Sequence, residues 1–235
     1  MPESTTNNSL ELPTKISPPS NPFAACNLDP KRIPWLAVDH IDIESLTERA
    51  VNGPALQLIV GPHGTGKSAL LSDLFKRISA LRPDWQLTWI SADSRERSEP
   101  IAKTTRDSSQ PRLLGIDGLD SWPLQRIAAY YWSTRWRKVK MIGTTHRARW
   151  LPVLAELHPT LTQLERVVDH LLRRQATGSF PDPELLRHLF QFHAGNLRNA
   201  LFDLYDWWEA EQGKHVSSHT LPESIRAWES EQSVR

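Results

Sequence analysis

The chain of 235 residues has almost no cysteine: Cys26 stands alone, which excludes an internal disulfide framework and most zinc constellations and fits a reducing compartment. It also lacks any apolar run near the roughly 20 residues that cross a bilayer. Met1 to Ser20 is polar and holds no apolar signal-peptide core, so a cytoplasmic location is expected. A marked excess of charge of either sign is missing too. A formal net charge of +1 gives no global pull toward nucleic acid or a membrane surface. There is no internal repeat, and no Asn-Lys pair of the kind that reads guanine, which argues against a GTPase. A small-molecule kinase would need an acceptor site and an arginine-rich lid, and no stretch of the chain supplies them.

What is present suffices for one α/β domain with a small appendage, since 39% of the residues are hydrophobic and can fill a core. The ten Trp residues are scattered along the chain, which reads as core and helix-face packing rather than a stacking platform for bases. Residues 1–22 are rich in Ser, Thr, Asn and Pro and read as a disordered leader. Phe23 to Trp35, broken by Pro30 and Pro34, reads as an extended segment lying on the domain. A helix is expected across Ile43 to Val51, stopped by Asn52-Gly53-Pro54.

From there strands and helices alternate. Strands are predicted at Ala55 to Val60, Gln86 to Ser91, Leu113 to Ile116 and Val139 to Gly143, with a fifth short one near Thr160 to Leu164. Helices are predicted at Lys67 to Leu81 and Trp122 to Trp136, and a long polar loop over residues 93–111. Such alternation implies parallel pairing with helices on both faces. The last third changes to helices alone. Asp182-Pro183 starts one, a second follows Gly195 with Leu197, Leu201, Leu204 and Trp208 on one side, and Thr220 with Glu223 form a capping box for a third. The expected division is a leader over 1–33, an α/β domain over 34–178, and a helical lid with tail over 179–235.

Gly61-Pro62-His63-Gly64-Thr65-Gly66-Lys67-Ser68 matches G-x-x-x-x-G-K-[ST] in full, between a strand end and a helix start. The glycines let consecutive N–H groups curl toward phosphate oxygens, and the helix that carries Lys67, Ser68 and Ala69 aims its positive dipole end at the same anion. Lys67 can bridge the β- and γ-phosphates, and the Ser68 hydroxyl can coordinate Mg²⁺. Leu113 to Asp117 supplies the carboxylate such a loop needs for Mg²⁺, on an apolar strand about 50 residues downstream. The residue after Asp117 is Gly118, and Asp120 beyond it either polarises a water or caps the helix that starts near Trp122-Pro123. At the end of the next strand Thr144 or Thr145 can hydrogen-bond water or γ-phosphate.

Arg198 falls in the first turn of a lid helix, where a cation is unfavourable unless an anion is near, so it faces either phosphate or a surface carboxylate at Glu184 or Asp203. Arg135-Trp136-Arg137-Lys138-Val139-Lys140 is a basic run that either contacts nucleic acid or is a solvated helix end.

These elements, in this order, resemble the AAA+ branch of P-loop ATPases, as found in clamp loaders, origin-recognition ATPases and helicase loaders, and are similar to small bacterial ATPases of this type. Gly61 to Ser68 looks like Walker A, Leu113 to Asp117 like Walker B, Thr144-Thr145 like sensor 1, and Gly195 to Ala200 like sensor 2. The resemblance implies a three-layer α/β sandwich with a parallel sheet in the order 5-1-4-3-2 and a helical lid. It implies ATP and Mg²⁺ as ligands, and an ATPase whose nucleotide state controls a protein or nucleic-acid partner, with a homo-oligomer as a further expectation. Gly118 departs from the pattern, standing where the family carries a catalytic glutamate, so a switch with little hydrolysis is the alternative. Arg147 and Arg149 are the candidates for an arginine finger.

Overall fold

The computed structural model describes residues 21–29, 32–36, 41–91, 111–135, 139–148, 150–173, 180–212 and 221–232. Nearly all of the leader, the loop expected over 93–111 up to residue 110, and Thr220 of the expected capping box lie outside them. Helix α1 (Ile43–Asn52) opens at Asp42, whose side chain accepts from the amides of Glu44 and Ser45, and it ends at Gly53. Strand β1 (Leu56–Val60) follows, buried at every position, and leads into α2 (Lys67–Leu81). Then come β2 (Gln86–Ser91), β3 (Arg112–Asp117), a one-turn 3₁₀ segment at Leu119–Ser121, α3 (Leu124–Arg135), β4 (Val139–Thr145) and β5 (Val153–Glu156). The lid helices are α4 (Leu161–Leu172), α5 (Pro183–Phe192), α6 (Leu197–Glu211) and α7 (Glu223–Gln232).

The sheet runs β2-β3-β4-β1-β5 with every pairing parallel, which is the expected 5-1-4-3-2 order read from its other edge. Because β1 and β4 lie in the middle, with Val60 opposite Thr145 and Leu58 opposite Gly143, the two strand ends that matter most sit side by side. One face of the sheet is covered by α1 and α2 through Leu46, Leu70, Leu71, Leu74 and Ile78. The other face packs Leu56, Leu58, Leu114 and Met141 beneath Leu119, Trp122 and Ile127. Burial on both faces is why these strands read as unbroken apolar runs rather than alternating ones.

Two expectations need correction. The fifth strand is Val153–Glu156, and Thr160 to Leu164 is the start of α4, with Thr160 accepting from the Gln163 amide at 3.1 Å as its N-cap. Leu164, Val168, Leu171 and Leu172 follow helical spacing and are buried, so this stretch forms a helix. The segment after Pro22 is not extended. Its amides bond back three or four residues, as Asn27 N does to Ala24 O at 2.8 Å, forming successive turns. Phe23 is fully buried in the lid's own core, edge-on to Trp208 with ring centroids 6.1 Å apart. Asn21 ties the same segment to α6 by donating to Tyr205 O and Glu209 Oε1, both at 2.9 Å.

Helix α2 approaches the sheet at Gly115, where a Cβ would lie 2.5 Å from Phe75 Cζ. Gly115→Ala is therefore expected to lower the free energy of unfolding by about 1–3 kcal/mol through overpacking. Urea titration followed by circular dichroism checks this, as a lower midpoint with an unchanged slope.

Candidate functional site

The chain turns from β1 into α2 over Gly61 to Gly66, and Gly64 and Gly66 hold φ of +74° and +82°. A side chain is strained at such φ values, so the motif's glycines are a requirement of this curl. Gly61 N bonds Thr145 O at 3.2 Å, anchoring the loop to the end of β4, and Thr65 Oγ1 donates to Pro62 O at 3.0 Å across the turn. Lys67 leaves only 8% of its surface exposed. Its ammonium donates to Gly61 O at 2.7 Å and Pro62 O at 2.6 Å and lies 3.2 Å from His146 Nδ1. Burial is the dominant influence and brings its pKa down to about 8, although Asp120 and Asp117 pull upward. Among the described residues no carboxylate reaches salt-bridge distance of it. A buried cation held by carbonyls, at the mouth of a helix N-terminus, fits an anion such as phosphate.

Asp117 ends β3 beside it. Its Oδ1 accepts from Ser68 Oγ at 2.8 Å and from Thr144 Oγ1 at 2.7 Å, and Thr144 Oγ1 in turn accepts from Gly118 N at 2.8 Å. A hydroxyl and a carboxylate oxygen side by side are the hard donors that suit Mg²⁺. No trio of His, Cys, Asp or Glu gathers around a point among the described residues, so such an ion would complete its shell with water and phosphate oxygens. The turn at Gly118 and Leu119–Ser121 brings Asp120 back over β4. Asp120 Oδ1 accepts from Thr145 Oγ1 at 2.6 Å, and Oδ2 accepts from the His146 amide at 2.7 Å. Its carboxylate thus clamps the end of β4 rather than the start of α3.

The lid closes the cleft from the other side. Asn196 caps α6, and its side-chain oxygen stands where a Cβ on Gly64 would be, with Arg198 N 3.1 Å from that same point. Lid and phosphate loop are in direct contact, and Arg198 lines the cleft with an exposed side chain. The two carboxylates that could have claimed it are engaged elsewhere, Glu184 with Arg187, and Asp203 with His193 at 2.6 Å and with Ser224. The cleft measures about 700 Å³. Its polar end holds Lys67, Ser68, Asp117, Asp120 and Thr144, and its apolar end Leu28, Ile33, Trp35, Val167, Leu201 and Phe202. Trp35 is fixed by its amide donating to Asp73 Oδ2 at 2.6 Å.

The structure brings together Lys67, Ser68, Asp117, Asp120, Thr144 and Arg198 around one cleft, while Thr145 points to Asp120. Sequence reasoning passed over two contributors. The stretch from Ala25 to Leu36 forms one wall, a role its four large apolar residues, Leu28, Ile33, Trp35 and Leu36, could have signalled within a proline-rich segment. His146 lies over the phosphate loop, its ring 3.6 Å from that of His63, and no sequence pattern marks it. Of the basic run, Lys140 is half-buried and donates to Gly53 O, with its pKa lowered by burial, so it is committed to the fold. Residues 136–138 and Arg149 lie outside the described residues, as does the side chain of Arg135, while Arg147 is exposed. No described helix is long and apolar enough to cross a membrane.

No protein-family model matches the chain, and neither does any curated protein. Solved structures do. Domain III of the Thermotoga maritima replication initiation protein DnaA aligns with a TM-score of 0.55 at 14% identity, over 79% of this chain and 90% of that one. The Aeropyrum pernix ORC1 protein in complex with DNA gives 0.57 at 16%, over 79% and 64%. A Thermotoga maritima RuvB variant gives 0.53 at 13%, over 79% and 65%. This chain therefore spans slightly less than two thirds of the last two. At these identities the likeness establishes a shared fold, that of the AAA+ ATPases, a P-loop α/β core with a helical lid.

The buried ammonium makes a pH prediction. Lys67 has a folded pKa of about 8 against an ordinary value of 10.5, so between those pH values the unfolded chain binds more protons than the folded one. The cost of burying its charge is in full force below pH 8 and is relieved as pH rises toward 10.5, so stability gains from this group over that window. Chemical unfolding of the nucleotide-free protein from pH 7 to 10 is expected to show this rise relative to Lys67→Met, which lacks the group.

Proposed function

We propose that this protein binds ATP with Mg²⁺ in the cleft between the phosphate loop and the lid and hydrolyses it, its nucleotide state governing a protein or nucleic-acid partner. The observation that carries the reading is the buried Lys67 ammonium, without a carboxylate at salt-bridge distance among the described residues, beside the Ser68–Asp117 pair. Gly61, Pro62, His63, Gly64, Thr65, Gly66, Lys67, Ser68 and Ala69 would hold the phosphates, with Lys67 leaving the carbonyls of Gly61 and Pro62 for phosphate oxygens. Ser68 and Asp117 would hold Mg²⁺, which when bound supplies neutralising charge to the phosphates. Asp120 would stand at the hydrolytic end of the cleft with Thr145 holding it from behind, and Arg198 would read the γ-phosphate from the lid. The apolar end, walled by Trp35 and Val167, suits a purine base.

Contact between Asn196 and Gly64 gives the lid a direct means of sensing what the loop holds. Release or recapture of α6 would then pass nucleotide state to a partner. A nucleic-acid partner, or a protein that acts on nucleic acid, is in keeping with the DNA bound in the ORC1 complex and with DnaA being a replication initiation protein. The single exposed Cys26 fits a cytoplasmic setting. Gly118 favours a second reading, a switch that binds ATP and scarcely turns it over.

Lys67→Ala is expected to weaken binding of a fluorescent ATP analogue by roughly 10- to 100-fold, the loss of one or two charge-assisted hydrogen bonds. Equal affinity in the variant would sink the proposal. Asp117→Ala is expected to remove the Mg²⁺ dependence of binding and to abolish phosphate release. A rate per molecule that rises with protein concentration would indicate a site shared between copies with an arginine supplied in trans, for which Arg147 and Arg149 are the candidates.

A further inference from the structure

Position 118 is glycine, so the chain has no acidic side chain directly after Asp117 to orient a water. Asp120, the nearest carboxylate in sequence, already has Oδ1 on Thr145 Oγ1 and Oδ2 on the His146 amide. What projects from that clamp into the cleft is the His146 imidazole. Its ring leans over His63 of the phosphate loop at an interplanar angle of 34°, Nδ1 faces Lys67 Nζ at 3.2 Å, and Nε2 stands 3.8 Å from Asp120 Oδ2.

The proton of this ring can be placed. The Lys67 ammonium, already donating to Gly61 O and Pro62 O, has only donors, so the atom facing it at 3.2 Å accepts. Gly61 O, 3.3 Å from Nδ1, could take a second, longer bond beside the one from Lys67 at 2.7 Å, but a proton on Nδ1 would then lie against the Lys67 cation, and that repulsion outweighs it. Nδ1 therefore carries the lone pair, and the proton sits on Nε2, toward Asp120. Burial, with Lys67 and His63 nearby, lowers the His146 pKa and favours the neutral ring, while Asp120 and the Gly61 carbonyl pull it upward. A carboxylate, an Nε2 proton and an opposed basic nitrogen are the parts of a carboxylate–imidazole base.

We propose that His146 is the general base for ATP hydrolysis in this protein, oriented by Asp120, in place of the acidic side chain missing at position 118. The proposal rests on the reading of the cleft as an ATPase site. When Lys67 moves from the loop carbonyls to the phosphates, His146 Nδ1 loses its donor and is free to take a hydrogen bond from water. His146 then accepts a proton from that water as its oxygen bonds the γ-phosphorus. The bond from that phosphorus to the β,γ-bridging oxygen breaks with its electron pair, leaving ADP and inorganic phosphate. Asp120 is a positioning residue: it fixes the ring through the backbone at His146 and faces the Nε2 proton, a gap of 3.8 Å that closes as charge develops on the imidazole.

Three measurements test this. Nitrogen NMR of the nucleotide-free protein, with labelled histidine, is expected to show His146 as the Nε2-protonated tautomer. A proton resident on Nδ1 would overturn the assignment without any assay of activity. His146→Ala and His146→Asn are expected to bind the ATP analogue within about threefold of the parent while phosphate release falls roughly 100-fold or more. The Asn variant keeps a hydrogen-bond acceptor near Nδ1 but takes no proton, so it separates chemistry from packing should the Ala variant unfold. Asp120→Asn is expected to shift the acid limb of the rate profile to lower pH, because the carboxylate no longer supports protonated His146, and a merely structural role would leave that limb in place. Turnover surviving in both His146 variants overturns the base alone. ATP bound tightly with no turnover in the parent overturns hydrolysis and the base together, while loss of binding specificity for Lys67 overturns the nucleotide reading itself.

Discussion

The carboxylate of Asp117 accepts from Ser68 at the first turn of α2 and from Thr144 near the end of β4, and so ties three separate elements at one point. Two of those bonds fall on a single oxygen, Oδ1, in a partly buried setting where an unpaired partner would be costly. The register of β3 against β4, Ile116 opposite Gly143, brings Asp117 and Thr144 to the same level, and the pairing of Val60 with Thr145 sets the phosphate loop beside them. Everything else in the cleft is arranged around this node. Gly118 follows it into a left-handed turn at φ +84°, and that turn folds Asp120 back onto Thr145 and His146.

The second constraint is the seating of the lid. The loop glycine at 64 and the cap residue Asn196 meet so closely that no side chain fits between them. The lid core is in turn shared with the N-terminal segment, since Phe23 packs among Leu189, Leu204 and Trp208. Ile33 joins the same cluster, while Trp35, two residues on, belongs to the core beneath the sheet. A short piece of chain with little regular structure thus bridges the two cores and walls the cleft between them. Among its described residues, backbone amides bond within its own turns and, at Trp35, to Asp73, while the Asn21 side chain bonds α6.

Local chemistry made much of this legible in the sequence. Helix α2 begins at Lys67 and ends at Leu81 as the apolar spacing predicts, because the glycine-rich loop before it forces its start. The Asp182-Pro183 pair caps α5 as expected, and the alternation of apolar runs with helical stretches predicts a parallel sheet. The misplaced fifth strand shows the limit. Val153–Glu156 is only four residues long and polar at one end, so its pairing with β1 decides its conformation. Asp120 shows the same limit at the site, since nothing in its neighbourhood in sequence indicates that its partners lie 25 and 26 residues away, at the last residue of β4 and the one after it.

The sequence by itself determined the phosphate loop, its helix and the strand that ends in Asp117, because glycine freedom, apolar period and caps act within a few residues of one another. Only the tertiary structure decided what stands around that loop. The burial that lowers the Lys67 pKa, the His146 ring over His63, and the lid cap against Gly64 each join residues far apart in the chain. Their geometry is set by strand register and helix packing, which no local pattern encodes.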